Sequence, residues 1–102
     1  MVSTFDLLAD PTRRRLLEAL REGECSVGAL VELLRMSQPA VSKHLRILRQ
    51  AGLASVRKDA QRRIYRLNPE GLRELDEWLE PFRASWRERL DALEDVLSSM
   101  ED

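Results

Sequence analysis

At Leu53 the spacing of apolar residues changes from helical to alternating, and few arrangements can satisfy the residues on both sides of that point. Upstream, Val41, Leu45 and Leu48 fall at helical intervals behind a Ser37-Gln38-Pro39 start. Serine there can cap a helix, and proline in the first turn costs no hydrogen bond. Gly52 sits where a helix closes on a C′ glycine. Downstream, Ala54, Val56 and Lys58 alternate with Ser55 and Arg57, Asp59-Ala60-Gln61 reads as a turn, and Arg63-Ile64-Tyr65-Arg66-Leu67 returns with β-branched and aromatic content. A second amphipathic helix ends at Leu34, a short turn before Ser37. The pattern is a helix-turn-helix followed by a two-stranded arm.

The remaining punctuation fills in the domain. Ser3 or Thr4 caps a short first helix carrying Phe5, Leu7 and Leu8, and Asp10-Pro11 opens a second that runs to about Arg21 and stops at Gly23. That helix carries Leu16, Leu17 and Leu20, and Ser26 caps the next, with Leu30, Leu33 and Leu34 on its buried side. After Asn68-Pro69, which can cap and start a helix, Leu72, Leu79, Trp86, Leu93 and Met100 recur at heptad intervals. Leu75, Phe82 and Val96 form a second seam that Arg89 interrupts, and Pro81 is expected to kink or split the helix near Glu80. The fold expected is mainly α with a small β-hairpin wing. It is one domain over 1–102, with the helix-turn-helix at about 26–51, the wing at about 54–67 and C-terminal helices at about 69–99. The long apolar seam exceeds what so small a domain needs for itself. Phe5, Leu8, Leu79, Phe82, Trp86, Leu90, Leu93 and Leu97 are therefore expected to form a homodimer interface through the terminal helices.

Charge narrows the function. Residues 34–68 carry nine Lys/Arg and a single acid, Asp59, whereas 1–33 hold four basic and six acidic residues and 69–102 four basic and eleven acidic. A net charge of −1 for the whole chain hides a one-signed block on one module, the footprint of a polyanion partner. With 43% apolar and 34% charged residues and no apolar run of spanning length, no membrane partner is expected, and the cytoplasm is the expected location. A single cysteine, Cys25, cannot form an internal disulfide and supplies too few ligands for structural zinc. No metal or other cofactor is expected. The lone His and the lone Cys lie in separate elements, and no glycine-rich phosphate loop is present, so an enzyme is not expected.

The segments A-L-V-E-L-L-R-M-S-Q-P-A-V-S-K-H-L-R-I-L-R-Q-A-G-L (29–53), V-R-K-D-A-Q-R-R-I-Y-R-L (56–67) and D-P-T-R-R-R-L-L (10–17) resemble the ArsR family of winged helix-turn-helix repressors. The tail is most similar to the autorepressor branch of that family. The resemblance implies a DNA-binding repressor acting at a promoter, its own included. Two positions depart from the commonest pattern. Arg35 stands where a glycine often makes the turn between the two helices, and Ala60 where the wing tip often has one. Metal-sensing relatives carry paired thiolates near the position of Cys25, and no second cysteine accompanies it here. A small-molecule effector, thiol oxidation and the absence of any ligand stay open as the signal.

If Val41, Leu45 and Leu48 face the core, Gln38, Ser42, Lys43 and Arg46 occupy the face that a helix in the major groove presents to bases. Gln pairs bidentately with adenine, Ser bonds either way, and Lys or Arg takes guanine or phosphate. Ser37 and the free N–H groups of the first turn suit a phosphate, and Pro39 in that turn is counted with the DNA-binding residues of the recognition helix. Arg57, Lys58, Arg62 and Arg63 on the arm are expected to reach the backbone or minor groove of double-stranded DNA. His44 borders the core stripe and is expected to be hydrogen-bonded, with a phosphate contact as the other reading. Arg13, Arg14 and Arg15 are expected to pair with acidic neighbours on the surface, with an outlying phosphate contact as the other reading. Trp78, Phe82 and Trp86 suit interface core better than an aromatic ligand cage. The competing class is a protein-interaction module that docks a partner on its winged helix, but a protein-docking face would not need so one-signed a charge.

Overall fold

Side-chain caps set the helix starts in the computed structural model, which describes residues 3–101. Ser3 Oγ accepts from the Asp6 N–H to open α1 (Thr4–Ala9), and Asp10 Oδ1 accepts from the Thr12 and Arg13 N–H groups to open α2 (Pro11–Glu22). Ser26 Oγ accepts from Ala29 to start α3 (Val27–Leu34), and Ser37 Oγ from Ala40 to start α4 (Gln38–Gln50). Each cap satisfies donors that a helix start otherwise leaves open. Helix α4 ends in a Schellman motif: the Leu53 N–H reaches the Leu48 carbonyl at 2.9 Å and the Gly52 N–H reaches Arg49 at 3.0 Å, with Gly52 at φ 81°.

Strands β2 (Ala54–Asp59) and β3 (Arg62–Leu67) form the expected hairpin, but the sheet has a third member. A two-residue strand, β1 (Cys25–Ser26), pairs antiparallel with β3 through Cys25 and Tyr65, so the strand order is β1-β3-β2. Two residues carry no alternation, which is why spacing alone does not reveal β1. Its consequence is visible in β3. As the central strand it buries neighbouring residues on both faces, Ile64 at 8% exposure and Tyr65 at 4%. The core joins Leu7, Leu16, Leu20, Leu30, Val41, Leu45, Leu48 and Leu53, with Tyr65 from the sheet. Leu33, expected inside, is 60% exposed. Leu30 and Leu34 take the inward positions one turn apart, and Leu33 lies about 100° round the helix from Leu34.

Three expectations for the C-terminal third are corrected. Asn68 does not cap a helix with its side chain; its Oδ1 accepts instead from Ser55 Oγ at 2.9 Å, tying the end of β3 to β2. A 3₁₀ turn follows at Pro69–Leu72, where Gly71 is pressed so close to the α4 terminus that a Cβ would stand 2.5 Å from the Gly52 oxygen. Thereafter one helix, α5 (Arg73–Met100), continues through Pro81, so of the expected kink or split the split does not occur. The physical reason lies next to the proline. Arg83 Nη2 donates to the Asp76 carbonyl at 2.9 Å and lies against the Asp76 and Glu80 carboxylates, supporting the turn in which proline removes a backbone bond. None of the residues of α5 is buried, and at about 1.5 Å per residue its 28 residues run about 42 Å, giving the chain extents of 66 × 30 × 21 Å.

Candidate nucleic-acid interface

Helix α4 turns Val41, Leu45 and Leu48 fully into the core, which leaves Gln38, Lys43 and Arg46 exposed and Ser42 half-buried. Ser37 and Pro39 lie exposed in the first turn, the Ser37 hydroxyl oxygen already engaged as the cap. Across from this turn stands the tip of the hairpin. Gln38 and Ser42 share a cleft of about 500 Å³ with Gln61, Arg62 and Arg63, and the start of α3 at Ser26, Val27 and Gly28 closes its third side. The expected recognition face and the expected wing thus line one cationic space. Gln61 is the member that sequence reasoning passed over, because a turn glutamine has no pattern to mark it.

The four wing cations are not equivalent. Arg57 lies on one face of the ladder opposite Ile64, and Glu24 holds it at 2.9 Å. Arg62 is held by Asp59 at 3.0 Å. Lys58 and Arg63 stand directly opposite each other on the other face, the side on which Val56 and Tyr65 pack toward the helices. Neither belongs to an ion pair among the described residues. Like charges paired across a ladder destabilise it, so this pair has electrostatic reason to meet an anion. Arg66, also exposed, lies opposite Ser55.

Behind α4, Arg13 Nε donates to His44 Nδ1 at 3.3 Å, which ties the recognition helix to α2. His44 is hydrogen-bonded, as expected for a residue beside the core stripe. The expectation for its neighbours is corrected: Arg13 to Arg15 form no ion pairs among the described residues, and Arg14 instead donates to the Leu8 carbonyl at 2.6 Å. Burial pushes the Asp10 carboxyl up, but bonds from the Arg13 and Thr12 N–H groups and the nearby His44 and Arg13 charges bring it below the ordinary carboxylate value. Cys25 is half-buried, its thiol donates to the Gly23 carbonyl at 3.5 Å, and burial pushes its pKa up, which disfavours the reactive thiolate. Among the described residues no group of three His, Cys, Asp or Glu is placed to hold a metal ion, and no helix is long and apolar enough to cross a membrane.

A polar recognition helix set beside a cationic wing, on a capped three-helix core, is the arrangement of a winged helix-turn-helix DNA-binding regulator. Residues 10–56 match the family of bacterial regulatory proteins described as the arsR family. The chain belongs to the ArsR family. It is 40% identical to the HTH-type transcriptional regulator Rv2034 of Mycobacterium tuberculosis over 96% of this chain and 89% of that protein. It is 35% identical to the transcriptional repressor SdpR of Bacillus subtilis over 78% of this chain and 88% of the repressor. The crystal structure of a possible transcriptional regulator for arsenical resistance superposes with a TM-score of 0.74 at 40% identity, covering 90% of this chain and 96% of the other. The chain is a DNA-binding transcriptional regulator, and the proteins of this family are regulators, not enzymes.

Proposed function

We propose that this chain is a repressor that binds a palindromic operator as a homodimer and occludes a promoter, with the promoter of its own gene the first operator to test. The observation that carries the reading is the shared cleft in which Gln38 and Ser42 of α4 face Arg62 and Arg63 of the wing. In this reading Gln38, Ser42, Lys43 and Arg46 meet base edges, Ser37 and the free N–H groups of the first turn meet a phosphate beside Pro39, and Lys58 and Arg63 neutralise backbone charge while Arg57 and Arg62 start from local ion pairs. Dimerisation is supported by the row of exposed apolar side chains on α5, among them Trp86, Leu90, Leu93 and Leu97, continued by Phe5 of α1. Phe82 is exposed beside them, whereas Leu79 is half-buried and Leu8 packs partly against the chain's own core.

Binding of the purified protein to the promoter fragment and to random duplex tests the reading. Gln38→Ala or Ser42→Ala is expected to cost about 1–3 kcal/mol on the operator and little on random DNA, relaxing specificity. Equal affinity of the wild type for both duplexes would overturn it.

A further inference from the structure

We propose that the open cleft between α1, Arg13 of α2, the end of α4 and the first turn of α5 is an effector site for a free amino acid with an apolar side chain. The proposal rests on the regulator reading and supplies its signal. The cleft holds about 750 Å³, within the range of small-molecule sites. Ile47 and Ala51 give it an apolar wall over the fully buried Leu7, and Thr4 and Gln50 add hydrogen-bonding groups at its edge.

Two opposite charges, Arg13 and Glu74, line this one space, yet no ion pair joins them among the described residues. Arg13 uses Nε on His44, and its terminal amino groups have no protein acceptor among the described residues. A guanidinium with that fork open takes a carboxylate through two parallel bonds, and the Glu74 carboxylate takes an ammonium. A ligand with a single charge would answer only one of the two protein charges. The α-carboxylate and α-ammonium of an amino acid satisfy both while its side chain covers the half-buried Ile47.

The site touches the recognition helix twice. Ile47 and Gln50 are part of α4, and the same guanidinium that would take the ligand holds His44. Drawing Arg13 toward a carboxylate weakens its bond to His44 and loosens α4 against α2, so the ligand lowers operator affinity. A ligand acts in this way only through contacts that differ between the two arrangements of the helix, and the Arg13 bond is such a contact.

The test uses the full chain with L-leucine, L-methionine, L-phenylalanine and the remaining common amino acids, each at about 10 mM, with N-acetyl-L-leucine and L-leucinamide as single-charge controls. At least one apolar amino acid is expected to raise Tm by about 2 °C or more and to weaken promoter binding about five-fold or more, and the controls are not. Glu74→Gln, an exposed position, is expected to fold and bind DNA normally while losing the response. No response to any amino acid, an equal response to the controls, an unchanged response in Glu74→Gln, or binding without an effect on promoter affinity would each overturn the proposal. The thermal measurement contains no DNA, and promoter affinity is also read without amino acid, so failure of the effector site is distinguishable from failure of the repressor reading.

Discussion

Arg62 and Arg63 are neighbours in sequence with different starting states. Arg62 is held by the Asp59 carboxylate at the wing tip, whereas Arg63 faces Lys58. An exposed pair such as Arg62–Asp59 is worth at most about 1 kcal/mol and can be exchanged for a phosphate, but the exchange releases a carboxylate next to DNA. Arg63 has no such partner to give up. Arg63→Ala should therefore weaken operator and random DNA alike and reduce the salt slope by about 0.9 for each phosphate it no longer neutralises, doubled in a symmetric dimer. Arg62→Ala should reduce it less, and Asp59→Asn should strengthen binding to both duplexes. Affinities across a salt series decide this; a larger slope change for Arg62→Ala would reverse the assignment.

Asp10 makes a pH-dependent contribution whose sign follows from its lowered pKa. The folded state holds the carboxylate through two backbone N–H bonds, so its contribution is complete above the unfolded value near 3.8 and is lost as pH falls through the lowered folded value. Asparagine caps a helix about as well as aspartate but carries no charge. Asp10→Asn should accordingly be less stable than wild type at neutral pH, and the gap should close below about pH 4, as thermal unfolding at the two pH values will measure.

Helix starts were legible because serine, aspartate and proline act locally, and all four side-chain caps fall at Ser3, Asp10, Ser26 and Ser37 as the sequence suggests. What stayed hidden depends on residues distant in sequence. Strand β1 exists only because Tyr65 pairs with Cys25, the Arg13–His44 bond joins residues 31 apart, and α5 passes Pro81 with help from Arg83. The candidate site divides in the same way. The polar face of α4 follows from its core stripe, but the sorting of the wing cations into held and unheld depends on strand register and on Glu24. The two departures from the family pattern are the two non-glycine residues with positive φ among those described, Arg35 at 55° and Ala60 at 58°. Only the first residue of the Ala60-Gln61 loop is left-handed, the φ signature of a type II′ turn, which favours glycine there. Arg35→Gly and Ala60→Gly should each stabilise the fold by up to about 1 kcal/mol in urea unfolding. Gly71→Ala should act in the opposite sense, costing about 2 kcal/mol or more, because its methyl would meet the Gly52 backbone and the fully buried Leu53 side chain, neither of which can move aside.

The molecule as a whole has a well-packed core at one end and a helix that none of its own core covers. Trp78 meets Phe5 edge-on at 5.5 Å and Phe82 at 4.7 Å, yet Trp86 is 57% exposed, and Leu90, Leu93, Val96, Leu97 and Met100 are more than half exposed. Burying large apolar groups is worth about 1.5–3 kcal/mol each, so a row of this length favours association strongly over solvent exposure. A twofold copy is the simplest cover, because the same stripe then serves both partners and sets two recognition helices at a fixed spacing for a palindrome. Light scattering should report about twice the chain mass of 11.8 kDa at micromolar concentration. Trp86→Glu should give monomers or insoluble protein, and Leu93→Glu serves as the second variant should the first precipitate. Because Trp86 and Leu93 lie in the exposed part of α5, away from the core, a soluble variant should keep its helical-core unfolding transition while binding the operator more weakly, its half-sites no longer paired. A well-behaved wild-type monomer, or a monomeric variant with undiminished operator affinity, would remove both the dimer and the palindrome from the reading.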